Sequence, residues 1–513
     1  MNPSSQSEGL VHIEGYGAAR PFHGAHVERI GVSRTAVRFR RAEGDGASKV
    51  LPNLREAIRA AGLKSGDTIS FHHHLRNGDA VLNMVMAEAA AMGLRDLTVA
   101  ASSLFAVHAP LVDYIQQGIV SRIYTAYMTG PVADAISSGL LRAPIVMQTH
   151  GGRARAIESG ELHIDVAFIA APAADDYGNL SGTQGRAACG PLGYAVVDAQ
   201  YASCVVAVTD QLVAYPCGSI DITQEFVDFV VDVDSIGDPN GILSGTTRPT
   251  TDLIGLEIAR QASSVIEASG YLVDDFSFQT GAGGVSLAVA VEVGMSMGRR
   301  GVRGSFAAGG VTGYLVDMLE QGLFRNLFDV QCFDLKAVQS YRDDSRHLAM
   351  SASMYANPNN RGAVANRLDA MILGAAEIDR DFNVNVTTGS SGRILGGSGG
   401  HADTAAGSKL AIVTTRLAAR GGPKVVQKVR CITTPGETVD VVVTEFGIAV
   451  NPRRGELEHR LRRAGLMLKS IDTLCAEAAR LAPVVPSAPA DGRIVGVVEY
   501  RDGTVIDVLR MVA

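Results

Sequence analysis

The chain contains no tryptophan, and Phe, Trp and Tyr together make up only 5% of its 513 residues. That scarcity argues against an aromatic platform for bases or sugars. Positive charge is not in excess either: 46 Lys and Arg face 53 Asp and Glu, a formal net charge of −7. A mildly acidic chain is no general binder of nucleic acid, so an anionic substrate must be held by a few local cations. No run of about 18 uncharged apolar residues is present, so no membrane span is expected. Met1–Gly17 lacks a basic stretch followed by an apolar one, so no secretory signal is expected. The six cysteines (Cys189, Cys204, Cys217, Cys332, Cys431 and Cys475) form no CxxC or other close-spaced metal pattern. Reduced cytoplasmic thiols and no metal centre are the expectation.

What is present points to a soluble globular protein, with 46% hydrophobic and 19% charged residues. The length implies more than one core. Residues 1–46 are polar and rich in Gly, Ser and Arg, and read as an extended or flexible arm. From Leu51 onward two element types alternate. Leu51, Leu54, Ala57, Ile58 and Ala61 recur at helical spacing, and Thr68–Phe71 reads as a strand. Helix 80–92 and strand 97–101 follow, then strand candidates 123–127, 145–148, 166–170 and 204–209. A second series starts with helix 252–269 and strand 276–278. It continues through strands 370–373, 410–414 and 439–443, and a hairpin through Asp502-Gly503. Strands alternating with helices predict parallel α/β sheets covered on both faces. The pattern Asp175-x-x-Gly178-Asn179-Leu180-Ser181 recurs as Asp379-x-x-Phe382-Asn383-Val384-Asn385, each copy after an apolar strand. That predicts an internal duplication.

Four segments could carry chemistry. Gln279-Thr-Gly-Ala-Gly-Gly284 follows a strand and opens an apolar helix, a geometry that presents backbone N–H groups to an anion. It satisfies neither the dinucleotide nor the phosphate-loop pattern, and a turn for close packing is the alternative. A second glycine turn, Ala307-Ala-Gly-Gly310, would converge with it at one sheet edge. His72, His73 and His74 end a strand, with His72 and His74 on one face and His73 on the other. A metal would need a third ligand that is not nearby, so a cationic loop completed by Arg76 is the better reading. His150-Gly-Gly-Arg153 repeats the theme. Gly396-Gly-Ser398-Gly-Gly400 fits GxSxG, but it follows no clear apolar strand, and a loop near a ligand is expected rather than a nucleophile elbow.

Taken together, longer stretches become recognisable. Phe71-His-His73 with Arg76 and Gly78-Asp79, Ser102-Ser103 with His108-Ala-Pro110, and His150-Gly-Gly-Arg153 form the first group. Phe278–Gly284, Glu377-Ile-Asp379 with Phe382–Asn385, Gly399–Asp403 and Glu445–Pro452 form the second. From about residue 50 to its end the chain resembles the citrate lyase alpha subunit, a relative of the CoA transferases. The resemblance implies two tandem CoA-transferase-like α/β domains, 47–245 and 246–513. It implies transfer of an acetyl group from an acyl-carrier (gamma) subunit in exchange for citrate, giving citryl thioester and acetate. A citryl lyase (beta) subunit then cleaves the citryl thioester to oxaloacetate.

No cofactor is implied on this chain itself. The carrier supplies a phosphoribosyl-dephospho-CoA arm, and acetyl-CoA can replace it. An oligomer is implied, and citramalate stays open as the acid. The glycines Gly281, Ala282, Gly283, Gly284, Gly309 and Gly310 (with the one alanine) are the expected catalytic backbone. His72, His73, Arg76, His150, Arg153, Glu377 and Asn383 are expected to bind substrate. Gln279, Gly397, Ser398, Gly399 and Gly400 are expected along the thioester arm. CoA transferases that work through a covalent glutamate carry it ahead of a Val-Asp-Leu-x-Glu-x-Gly motif. Here Val316-Asp-Met-Leu-Glu-Gln-Gly322 matches that motif, and Gly309 stands in the glutamate's place. The implied mechanism is therefore a ternary complex passing through a mixed anhydride. A covalent-glutamate transferase or hydrolase, and a scaffold without catalysis, are the alternatives.

Overall fold

The computed structural model describes residues 9–26, 34–37, 48–243, 249–281, 283–419, 422–482 and 492–512. Two predominantly parallel sheets organise them. In the first, Ile145–Met147, Val120–Thr125, Leu97–Ala101, Thr68–Phe71, Val166–Ala171, Cys204–Thr209 and Phe229–Asp232 lie side by side in that order. In the second, the order is His347–Ala349, Phe324–Cys332, Gly304–Val311, Ser277–Thr280, Ala370–Gly374, Ala411–Thr414 and Val441–Thr444. The two orders correspond strand for strand, as the duplicated Asp-Asn signature predicts. The signature itself builds the same turn twice. Asp175 accepts hydrogen bonds from the Tyr177 and Asn179 amides, and Asp379 from those of Asp381 and Asn383. In each copy the asparagine returns its side-chain N–H to the aspartate.

The strands are Val-, Ile- and Ala-rich because helices cover both faces. Val166–Ala171 and Cys204–Thr209 are buried along their whole length. Helix Leu253–Ser269 starts at Asp252, whose carboxylate accepts from the Gly255 amide, and stops at Gly270 in the left-handed conformation. Its Ile258, Ala259, Ala262, Val265 and Ile266 are buried, and it packs along helix Gly284–Arg300.

Three expectations change. Ala307–Gly310 is not a turn but the end of strand Gly304–Val311, paired on both sides. Neighbouring strands satisfy its backbone, which outweighs the low strand propensity of glycine. The hairpin Ile494–Glu499 and Val505–Arg510, read as part of the second unit, extends the first sheet through parallel pairing with Ile145–Met147. The arm is folded where it is described: Val11–Ile13 pairs with Gly17–Ala19, and Ile13 and Ala19 pack on Val146 and Val497. Tyr16 donates a 2.8 Å hydrogen bond to Glu499. Among the described residues no helix is long and apolar enough to cross a membrane. All six cysteines are buried and unbridged.

Candidate functional site

Thr68–Phe71 and Ser277–Thr280 are the central strands at which each sheet changes direction of growth, the point where parallel sheets open a crevice at their carboxyl ends. A cavity of ≈ 320 Å³ lies there, lined from both halves. The first half contributes His73, Arg76, Phe105, Tyr127, His150 and Tyr194. The second contributes Gln279, Gly281, Gly310, Gln331, Phe333, Tyr355 and the loop Leu395–His401. No Asp or Glu lines it among the described residues.

Arg76 is the cation of this cavity. It starts the short turn Arg76–Gly78 with a φ of 53°, a left-handed conformation uncommon for a residue with a side chain. The guanidinium sits between two rings, 5.1 Å from the centre of Phe105 and 5.0 Å from that of Phe333. Burial lowers its pKa from the usual arginine value, and a bound anion would relieve that cost.

The three histidines divide as the strand alternation predicts. His73 faces the cavity, with Nδ1 2.5 Å from the Ser102 hydroxyl and its ring 4.5 Å from Tyr194 and 5.5 Å from His150. Burial, then His150 and Arg76, hold its pKa well below the usual imidazole range. Burial, then Arg153, bring that of His150 to about 3. Both are therefore neutral, polar walls rather than cations. His72 and His74 stack on each other on the opposite face.

Several expected substrate ligands are committed elsewhere. Arg153 is 3% exposed and grips Asp198 with two hydrogen bonds of 2.7 Å, while donating to the Ala100 carbonyl. His72 reaches the same carboxylate at 3.1 Å. Burial pushes the Asp198 pKa up, but Arg153 and His72 together hold it below the usual carboxylate range. Arg153 thus neutralises a buried charge inside the first half, and neither it nor His72 lines the cavity. Arg153→Ala should leave the buried Asp198 without its guanidinium partner. The expected result is a melting temperature several degrees lower, with the KM for an anionic substrate of the cavity unchanged in the folded fraction. A selective rise in that KM would return Arg153 to the site.

Glu377 also lies away from the cavity. It accepts from Asn385 and the Arg430 amide and lines a separate cavity of ≈ 850 Å³ near the carboxyl-terminal hairpin. Asn383 is spent on Asp379 and the Gly436 amide, holding its turn. Glu445 accepts from the Leu417 amide.

The glycines divide too. Gly281 lines the cavity, but its N–H donates to the Ile372 carbonyl in strand pairing, so it is not an oxyanion donor. Ala282 lies outside the described residues. Gly283 has a φ of 143° and caps helix Gly284–Arg300, whose first turn holds N–H groups that no helical carbonyl can satisfy. Gly310 lines the cavity beside Phe333. Gly309 does not. It is buried with a φ of 110°, and a Cβ there would lie 2.6 Å from the Gln279 amide nitrogen.

The loop Gly396–Gly400 binds the two halves together. His150 donates its amide to the Gly399 carbonyl and Met128 to that of Gly396. A Cβ on Gly397 would run into the Ala126 carbonyl, and one on Gly400 into the Tyr355 hydroxyl. Ser398 accepts from the Ala402 amide. His401 bonds Thr434 and the Gly374 carbonyl, so no Ser–His pair forms here.

Sequence reading missed Tyr127, Tyr194, Tyr355, Gln331, Phe105 and Phe333. Apart from Gln331 and Phe333 at one strand end, they lie far apart in sequence with no local motif, and only the fold brings them together. Tyr355 receives a 2.8 Å hydrogen bond from Gln279. Burial raises the pKa of all three tyrosines, so their hydroxyls stay protonated donors.

Residues 47–512 match the family model described as citrate lyase, alpha subunit (CitF). The citrate lyase alpha chain of Klebsiella pneumoniae is 48% identical over 90% of this chain and 91% of its own length. That of Escherichia coli K12 is 49% identical over the same shares. Among solved structures, the citrate lyase alpha subunit of Streptococcus mutans, determined in complex with citrate, superposes with a TM-score of 0.92. It is 44% identical, and the match covers 95% of this chain and 96% of that one. A Pseudomonas malonate decarboxylase hetero-tetramer, with a TM-score of 0.62 and 18% identity, shares the fold. The chain belongs to the citrate lyase alpha subunit family.

Proposed function

We propose that this chain is the citrate:acetyl-carrier transferase of a citrate lyase. It exchanges the acetyl group of a carrier thioester, or of acetyl-CoA, for citrate, giving citryl thioester and acetate. The observation that carries the reading is the cavity's polarity: one guanidinium, neutral donors, and no carboxylate among the described lining residues. A carboxylate substrate fits beside Arg76, and no enzyme carboxylate stands ready to intercept the acyl group.

Chemistry by a ternary complex follows. A citrate carboxylate oxygen attacks the acetyl carbonyl, and the thiolate leaves, forming a citric–acetic anhydride. The same thiolate then attacks the citryl carbonyl, and acetate departs. Water must be excluded throughout. Each step places negative charge on a carbonyl oxygen. The protonated tyrosines that line the cavity are the donors that would stabilise it, since neither Gly283 nor Gly284 is among the lining residues. The thioester arm would pass along Gln279 and Gly397–Gly400, which line the cavity. His73, His150 and Arg76 are the substrate-side residues of the proposal.

The carrier arm, with its phosphoribosyl-dephospho-CoA group, would come from a gamma subunit. The citryl product would pass to a beta subunit, in a cytoplasmic oligomer. Purified chain with acetyl-CoA and citrate should release acetate, and the same assay with citramalate decides between the acids. Reciprocal plots at several acetyl-CoA levels should intersect. Parallel lines, or a stable mass adduct after acetyl-CoA alone, would overturn the ternary mechanism and restore a covalent enzyme. An inactive chain would favour the scaffold.

A further inference from the structure

The cavity wall depends on a buried residue that never reaches the cavity. Strand Phe324–Cys332 runs parallel to Gly304–Val311 until Gly309 faces Asp329, and the register then slips so that Gly310 faces Gln331. A bulge loses ladder hydrogen bonds, and something must replace them. Here the Asp329 side chain does. Its Oδ1 accepts from the Gln331 amide at 2.9 Å and from the Val311 amide at 3.3 Å. Its Oδ2 accepts from the Cys332 thiol and from His347 Nε2, each at 3.1 Å. His347 Nδ1 in turn accepts from the Ser340 hydroxyl at 3.0 Å.

Every residue that the bulge aims belongs to the site. Gly310, Gln331 and Phe333 all line the cavity. Gln331 donates across the two halves to the His73 carbonyl at 2.6 Å, and Phe333 carries one face of Arg76. We infer that Asp329 is a positioning residue for the acyl transfer, holding the bulge that sets Gln331 against His73 and Phe333 under Arg76. The inference rests on the proposed transferase reading.

Asp329, Cys332 and His347 also place three possible metal-ligand atoms within 4.8 Å of one another. Their hydrogen bonds are complete without an ion. Burial, then Asp329, raise the Cys332 pKa well above its usual value, so the thiol stays protonated as a donor.

The test is a double-mutant cycle on kcat/KM for citrate with Asp329→Asn and Gln331→Ala, each assayed well below its own melting temperature. Each single change should cost about 30-fold, and the double variant should lose little more than the worse single. Additive losses, or an Asp329→Asn enzyme with full activity, would overturn the inference. If Asp329→Asn does not fold, Cys332→Ala takes its place in the cycle under the same criterion. Hydrogen–deuterium exchange supplies a readout independent of activity. Peptides spanning Val311 and Gln331 should exchange faster in Asp329→Asn and not in Gln331→Ala. If the wild type shows no transfer, the transferase reading fails, while exchange still decides whether Asp329 holds the bulge. One zinc per chain, lost together with activity in Cys332→Ala, would replace the hydrogen-bonded cluster with a metal site.

Discussion

Arg76→Ala is expected to raise the KM for citrate by about a hundredfold, or about 2.7 kcal/mol. The KM for acetyl-CoA should stay within about threefold. The guanidinium is the only cationic side chain lining the cavity among the described residues, where both near histidines are neutral. It is also held ready. The rings of Phe105 and Phe333 both lie against it, and the backbone at residue 76 is left-handed at some conformational cost. Strain of that kind persists where the surroundings enforce it. Arg76→Lys should recover only part of the loss, because an ammonium cannot stack between two rings or fork to a carboxylate. Steady-state kinetics with each substrate varied checks this. Equal rises in both constants would assign Arg76 to the fold or to the thioester arm.

Gly309→Glu is expected to abolish the transfer, to below about a thousandth of the wild-type rate, rather than to convert the enzyme to covalent chemistry. Three features combine. The φ of 110° at this position is costly for any side chain, about 1–3 kcal/mol. A Cβ would lie 2.6 Å from the Gln279 amide nitrogen and 2.7 Å from its side-chain carbonyl carbon. To move aside, Gln279 would have to give up its 2.8 Å hydrogen bond to Tyr355. The space above Gly309 is thus filled by a side-chain amide from the neighbouring strand. Mass spectrometry after acetyl-CoA should show no adduct on the variant. A CoA or acetyl adduct on the introduced carboxylate, with turnover retained, would mean that the site still accepts a nucleophile there.

Much of the architecture was legible from local pattern. Thr68–Phe71, Leu97–Ala101 and Cys204–Thr209 have the predicted bounds because each is a short apolar run between turn signals. The opposite facing of His73 from His72 and His74 follows from strand alternation alone. The failures have equally local causes. Phe324–Cys332, with Arg325, Asn326, Asp329 and Gln331 in its sequence, breaks the apolar pattern because polar residues at its end serve the cavity and the bulge. Arg153, beside glycines at a strand end, and Glu377, in a Glu-x-Asp strand end, have the local pattern of ligands. Asp198, which occupies Arg153, lies 45 residues away, and Asn385, though it shares Glu377's motif, meets it only once the two short strands pair.

By itself, then, the sequence determined the duplicated parallel α/β design, the family, and the absence of a carboxylate at position 309. These are properties of periodicity, glycine placement and long motifs, all written along the chain. The tertiary structure decided which charges are free to act. A buried charge must find a partner, and that partner can lie far along the chain, as Asp198 does from Arg153. It also decided that one hairpin from the chain's end completes the first sheet, since an open strand edge pairs with whatever strand the fold delivers.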